Sequence, residues 1–179
     1  MTHGKTPRHL HKCWHTHEAL VIPVDGVKYE VWGGSCHDAP DDTVDIFVGL
    51  DRTMAPTARS YPWREGVQVH FEIKNMGVPQ DPEEFKALIV YLADKVLLGK
   101  TVYVGCIGGH GRTGMVLAAL YYQLTGDKKA IKLVRETYCS KAVETAEQCN
   151  WLKTHYGMNA YASGAKHKRH YSNYNWNRY

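Results

Sequence analysis

The segment VYVGCIGGHGRTG, at residues 102–114, joins strand-forming residues to a glycine-rich loop and then to the start of a helix. Glycines allow successive backbone N–H groups to turn inward around an anion, and the positive end of the helix dipole lies at the same point. In an α/β fold, such a strand, loop and helix present a ligand at the carboxyl end of the strand. The segment therefore predicts a phosphate-binding loop made of Ile107, Gly108, Gly109, His110, Gly111 and Arg112.

Cys106 opens this loop, where the backbone N–H groups and the helix dipole stabilise a thiolate. Arg112 carries a permanent, forked charge that can hold two phosphate oxygens, and the Thr113 hydroxyl can donate a hydrogen bond to the sulfur as it leaves. These residue types predict nucleophilic attack on a phosphoryl group, with Cys106, Arg112 and Thr113 as catalytic residues. A buried, inert cysteine in a structural turn is the competing interpretation.

The rest of the chain predicts an α/β fold of one domain, in which helices flank a central mixed, mostly parallel sheet. Asp25-Gly26 between two apolar runs indicates a β-hairpin, and Asp81-Pro82 indicates the capped start of a helix. The predicted strands are residues 19–24, 27–32, 44–48, 67–73 and 102–105. Two helices are predicted at residues 82–97 and 112–124. A third is predicted to begin after an Asp127 cap, and a fourth to begin at a capping box of Thr145 and Gln148 and to end at Gly157.

Length and composition place the chain among ordinary globular proteins. Its 179 residues, 44% of them hydrophobic, suffice for one core. No apolar run approaches membrane-spanning length and no secretory leader is visible, so we expect a cytoplasmic monomer without a membrane partner. The five unpatterned cysteines fit the reducing compartment that a catalytic thiolate needs. We predict an N-terminal arm at residues 1–18, a domain at 19–158 and a tail at 159–179.

The net charge of +4 is concentrated at the C-terminus, because no acidic residue follows Glu147 whereas five lysines and arginines do. From Gly164 onwards the chain interleaves basic and aromatic residues. Such a composition suits phosphate contacts and base stacking, and so RNA or a nucleotide as partner. A solvated tail, or one whose aromatic rings pack on the domain, explains the same composition.

The residues from Cys106 to Gly114 read C-x-x-G-x-G-R-T-G, which resembles the signature of the protein tyrosine and dual-specificity phosphatase superfamily. The resemblance covers roughly residues 28–156, including an acid loop at 73–79 and two closing helices, matched at residues 134–136 and 142–148. It implies a cysteinyl-phosphate intermediate, with Gln148 placing the hydrolytic water. It also implies a phosphorylated protein, by default phosphotyrosine, or a small phosphate ligand as substrate. We expect no cofactor and no metal.

Two positions depart from that pattern. Gly105 stands where the superfamily usually has a histidine, and Asn75, 31 residues before Cys106, stands where its acid loop usually has an aspartate. An amide cannot donate a proton to a leaving group, and general acid–base catalysis contributes about 10²–10⁴ in rate. Two alternatives therefore stay open: an RNA 5′-triphosphatase or nucleotide phosphatase, whose leaving group needs no proton, and a non-catalytic phospho-ligand binder. Asp81, six residues after Asn75, is a weak candidate for a substitute acid.

Several residues have two interpretations. Gln148 either positions water or only completes the capping box of its helix. His110 either adds positive charge to the phosphate pocket or faces solvent. Three arginines between Gly49 and Gly66 either rim the pocket or solvate a loop; they are Arg52, Arg59 and Arg64.

The N-terminus carries alternating metal-binding residue types. In an extended segment they all project to one side, because strand side chains alternate. With Cys36-His37 they can make a zinc site, although their spacing follows no zinc motif, so a metal site is not assigned. The residues are His9, His11, Cys13, His15 and His17.

Overall fold

The structure is a computed structural model that describes residues 17–35, 44–54 and 67–160. Its centre is a five-stranded sheet with the strand order β1-β2-β5-β3-β4. The strands are β1 (Leu20–Val24), β2 (Val27–Ser35), β3 (Ile46–Gly49), β4 (Val67–His70) and β5 (Val102–Cys106). The helices are α1 (Pro82–Leu97), α2 (Gly111–Thr125), α3 (Ala130–Thr137) and α4 (Ala146–Tyr156), with a short 3₁₀ turn at Arg52–Met54.

The sheet is mixed and mostly parallel, which confirms the predicted fold class. Strands β1 and β2 form the predicted antiparallel hairpin, whose turn residues Asp25 and Gly26 both have positive φ angles, as a tight two-residue turn requires. The pairs β2–β5, β5–β3 and β3–β4 are all parallel. Strand β5 is therefore central, and Ser35 pairs with Cys106 where β2 and β5 end.

Helix α2 is the most enclosed of the described helices, since the first eleven of its residues are buried. It contacts the other three helices and strands β1, β2 and β5. Helix α1 begins at the predicted cap, where the Asp81 carboxylate accepts hydrogen bonds from the backbone N–H groups of Glu83 and Glu84. This packing places the start of α2 beside the end of β5.

Several boundaries differ from the sequence-based expectation. Strand β2 continues to Ser35, and β4 ends at His70, so residues 71–80 form an irregular connection. Asp127 is not the N-cap of α3: its carboxylate accepts from the Lys129 N–H in a turn, and the helix begins only after Lys129. In the described part of the chain, no helix combines the length and apolar character needed to cross a bilayer.

Candidate active site

The loop after β5 surrounds the sulfur of Cys106. The side chain is buried, with 3% of its surface exposed. Its Sγ accepts a hydrogen bond from the Gly109 N–H at 3.2 Å and another from the Thr113 hydroxyl at 3.1 Å. The predicted contact between Thr113 and the nucleophile position is therefore present.

Gly109 is required at its position for two reasons. Its φ angle is +73°, in the left-handed region that side chains disfavour. A Cβ atom there would also lie 2.6 Å from the backbone of Gly34 on β2. The Gly109 carbonyl accepts a hydrogen bond of 2.7 Å from the Tyr138 hydroxyl, so the loop is held between β2 and the residue that follows α3.

Arg112 is buried at the start of α2 and is held by three neighbours. Its Nη1 donates to Asp51 Oδ1 and to the carbonyl of Ile73, both at 2.8 Å, and its Nη2 donates to Asn75 Oδ1 at 3.4 Å. Two hydrogens of Nη1 are thereby used, whereas Nε and the second hydrogen of Nη2 contact no acceptor within the described residues. The guanidinium therefore keeps two donors for phosphate oxygens.

Asp51 is a site residue that the sequence analysis missed. It follows β3, which pairs in parallel with β5, and its ion pair with Arg112 is buried on both sides. Burial by itself raises the pKa of Asp51, but hydrogen bonds from Thr53 and Arg112 outweigh it and hold the pKa below its ordinary value. A usable signal was present: an aspartate two residues after a buried strand that ends at the same sheet edge.

A cavity of about 40 Å³ opens over the loop, compared with roughly 10–15 Å³ needed for one water. Of the loop residues predicted to bind phosphate, Ile107 and Gly109 are not in its wall, and the Ile107 side chain is 37% exposed. The wall consists of Asn75, Met76, Cys106, Gly108, His110, Gly111, Arg112, Glu144 and Gln148. The acid-loop position, the nucleophile position and the arginine therefore share one cavity.

Gln148 lines this cavity and is fully buried. The predicted capping box with Thr145 is present. Its Oε1 accepts from the N–H groups of Glu144 and Thr145, and its Nε2 donates to the Gly77 carbonyl at 3.0 Å. Both lone pairs of Oε1 are engaged, so the remaining Nε2 hydrogen is the group that can hold a water molecule. The two interpretations of Gln148 are thus compatible.

Glu144 is a second wall residue that the sequence analysis did not single out. It alone among the described wall residues carries a carboxyl group. Burial raises the pKa of this carboxyl, although Lys141 and Arg112 act in the opposite direction. A carboxyl group with a raised pKa beside a phosphate loop is a candidate general acid.

Of the other predicted site residues, only His110 lies in the cavity wall within the described part of the chain. Asp81 is exposed, caps α1 and is not in the cavity wall. Arg52 is exposed in the 3₁₀ turn, whereas Arg59 and Arg64 lie outside the described residues. His110 is in the wall, and its Nδ1 also lies 3.2 Å from Cys139 Sγ and 3.3 Å from His17 Nε2. The remaining N-terminal histidines and the Cys36-His37 pair are outside the described residues.

No protein family model matches the sequence, but individual proteins are similar to it. An uncharacterized protein of Methanocaldococcus jannaschii is 42% identical over 143 residues, covering 76% of this chain and 90% of that protein. The "putative tyrosine phosphatase 197R" of Invertebrate iridescent virus 6 is 30% identical over 60% of this chain and 42% of its own length.

The crystal structure of a glycine-to-alanine mutant form of Tk-PTP is similar with a TM-score of 0.52 and 26% identity, covering 63% of this chain and 76% of that one. The similarity to this structure and to the viral protein is therefore not confined to the loop motif, because it includes the fold and much of the chain. Together with the cavity built on Cys106 and Arg112, these findings show that the chain belongs to the protein tyrosine and dual-specificity phosphatase superfamily.

Proposed function

We propose that the protein hydrolyses phosphomonoesters through a cysteinyl-phosphate intermediate. One observation carries this proposal: Cys106 Sγ receives hydrogen bonds from Gly109 and Thr113 at the base of a cavity that Arg112 also lines. A thiolate held there attacks phosphorus, and the leaving-group oxygen departs on the opposite side. Arg112 and the loop N–H groups stabilise the three equatorial oxygens, whose charge is greatest in the transition state.

Water then cleaves the sulfur–phosphorus bond, releasing phosphate and returning the thiolate. The Thr113 hydroxyl, 3.1 Å from the sulfur, stabilises that thiolate as it departs. The Nε2 of Gln148 can orient the attacking water, because its other polar contacts fix the amide in the cavity wall. In this scheme Cys106, Arg112, Thr113 and Gln148 keep the roles that the superfamily resemblance implies.

Glu144 is the proton donor that we propose in place of the missing aspartate. Asn75 occupies the acid-loop position and contacts Arg112, but it has no proton to give at the pH of catalysis. Glu144 lies in the same wall and its pKa is raised by burial. It would protonate the leaving group in the first step and accept a proton from water in the second.

Replacing Glu144 tests this assignment. Glu144→Gln should slow hydrolysis of an alkyl phosphate by about 10² while aryl phosphate hydrolysis changes little, because only the alkoxide needs protonation. Glu147→Gln, an exposed substitution three residues away, is the matched control. Asn75→Asp should raise the alkyl-to-aryl rate ratio, and Asp81→Ala should leave it unchanged. An unchanged ratio in Glu144→Gln would rule out this residue as the donor.

The substrate that we propose is a phosphorylated protein, with phosphotyrosine as the default, acted on in the reducing cytoplasm. Asn75 favours a second candidate, an RNA 5′-triphosphate or nucleotide, because a polyphosphate leaving group needs no proton. The basic, aromatic composition of residues 159–179 supports the same candidate. The third candidate function is a protein that binds a phosphorylated ligand without hydrolysing it.

The experiment that separates these functions compares three substrates with the full chain: an aryl phosphate, a phosphotyrosine peptide and a 5′-triphosphorylated RNA. Cys106→Ser should abolish turnover of the preferred substrate and keep phosphate binding, whereas Cys149→Ser should retain activity. Acid quenching during turnover should trap a phosphoenzyme in the wild type. Absence of turnover with all three substrates, together with retained phosphate binding, would establish the binder instead.

A further inference from the structure

Three potential metal ligands from distant parts of the chain meet behind the phosphate loop. His17 precedes β1, His110 ends the loop, and Cys139 follows α3. The Nε2 of His17 lies 3.3 Å from the Nδ1 of His110, which lies 3.2 Å from the Sγ of Cys139. The ligand atoms of all three residues lie within 4.8 Å of one another.

Two of these separations, 3.3 Å and 3.2 Å, are close to those between neighbouring ligand atoms of a zinc site, and the separation of the third pair of ligand atoms does not exceed 4.8 Å. Zinc binds imidazole nitrogen at about 2.0–2.1 Å and thiolate sulfur at about 2.3 Å, so neighbouring ligand atoms of a tetrahedron are about 3.3–3.6 Å apart. Imidazole and thiolate donors also favour zinc over magnesium and calcium, which prefer oxygen. We propose that His17, His110 and Cys139 bind a zinc ion, leaving one position of the tetrahedron for a further ligand.

The surroundings hold the three side chains in place before a metal arrives. The ring of His17 stacks on Tyr138 with centroids 5.0 Å apart and planes 17° apart. The absence of a side chain on Gly109 leaves room for His17, since a Cβ there would lie 2.8 Å from its Cε1. Cys139 is 4% exposed, and a buried thiolate is stabilised by coordination to a cation.

Zinc binding would link three elements that contact the active-site loop. His17 belongs to the segment before β1, His110 is the N-cap of α2, and Cys139 follows the tyrosine that donates to the Gly109 carbonyl. A metal that binds only the folded chain raises its stability. At a zinc concentration of 100 times its dissociation constant, we expect the Tm to rise by about 5–10 °C.

The test uses the full chain, reduced and freed of metal, titrated with Zn²⁺ by calorimetry and with Co²⁺ by absorption. We expect one equivalent to bind, a sulfur-to-cobalt charge-transfer band, and the stated rise in Tm. Cys139→Ser should remove the band, and His17→Gln should weaken zinc binding by more than about tenfold. The buried Cys149 and the half-buried His155 provide matched controls, since Cys149→Ser and His155→Gln should retain binding.

Two further variants exclude other metal sites. Cys106→Ser should keep the cobalt band, because the nucleophile thiol is not a proposed ligand. A variant with His9, His11, Cys13 and His15 replaced should also keep it. Circular dichroism of each variant checks folding, and His17→Gln supplies the test if Cys139→Ser fails to fold. A band that survives in Cys139→Ser, or that disappears in either of these further variants, would overturn the proposal.

Discussion

The ion pair between Asp51 and Arg112 gives a sharp test of how the site is held. Its nitrogen and oxygen atoms lie 2.8 Å apart, and the side chains are 3% exposed for Arg112 and 8% for Asp51. Removing one partner of a buried pair leaves an uncompensated charge and costs about 3–5 kcal/mol. We expect Asp51→Ala to lower the free energy of unfolding by that amount, a large part of the roughly 5–15 kcal/mol of a typical domain.

The same substitution should impair catalysis, because Asp51 fixes the guanidinium through Nη1. We expect kcat/KM for an aryl phosphate to fall more than about tenfold, equivalent to about 1.4 kcal/mol. Asp51→Asn keeps an acceptor for Arg112 but removes the charge, so its loss of stability should be smaller, about 1–3 kcal/mol. This milder variant keeps the test valid if Asp51→Ala does not fold.

Urea unfolding of wild type and variants measures these changes. Glu136→Ala, which breaks an exposed pair with Lys132, is the matched control and should cost at most about 1 kcal/mol. Because the pKa of Asp51 is lowered by folding, its stabilisation is full above the ordinary value of about 3.9 and is lost as pH falls through the lowered pKa. A loss below about 1 kcal/mol at neutral pH in Asp51→Ala would refute the reasoning.

Three other substitutions or deletions follow from the site. Arg112→Lys should lower kcat/KM more than about tenfold, because an ammonium cannot make the bidentate contact; steady-state kinetics that show less would contradict its role. In urea unfolding, Gly109→Ala should lower the free energy of unfolding more than Gly99→Ala. Both glycines have positive φ angles, but only at Gly109 would the added Cβ lie 2.6 Å from other backbone atoms, those of Gly34. Equal losses would show that the Gly34 backbone moves to accommodate the Cβ at no cost in stability. Truncation after Ala160 should leave aryl phosphate hydrolysis unchanged. If RNA is the substrate, the truncation should also weaken RNA binding and reduce the dependence of that binding on salt concentration. Full-length protein that binds no RNA at low salt would exclude the RNA hypothesis.

Short-range features of the site were predictable from the sequence. The contacts of Cys106 with Gly109 and Thr113 span three and seven residues, so a strand, loop and helix in that order bring them together. The caps at Asp81 and Thr145 were predictable for the same reason, since each satisfies N–H groups two or three residues away. Asp127 was wrongly predicted as a cap, because the same side chain also stabilises turns.

Other site residues were missed because their partners are remote in sequence. Asp51 is 61 residues from Arg112, its partner in the buried ion pair. Asp51 reaches the arginine because β3 pairs with β5. The sequence predicted the strands but not their order in the sheet, so this contact could not be predicted. Glu144 reaches the cavity only because the segment before α4 packs against α2, where Gly114 lies too close to Val143 to carry a side chain.

The sequence by itself therefore determined the candidate phosphate loop with Cys106 and Arg112, the α/β class and the superfamily, because these depend on residue types at fixed short spacings. Tertiary structure alone decided which carboxyl groups face the loop and that His17 and Cys139, 122 residues apart in the numbering, both lie against His110. The physical reason is that hydrogen bonds within a loop or a cap are set by local backbone geometry. Contacts between strand ends depend instead on the order of the strands in the sheet and on how the helices pack. The burial of apolar surface drives that packing, but it does not specify which polar groups become partners.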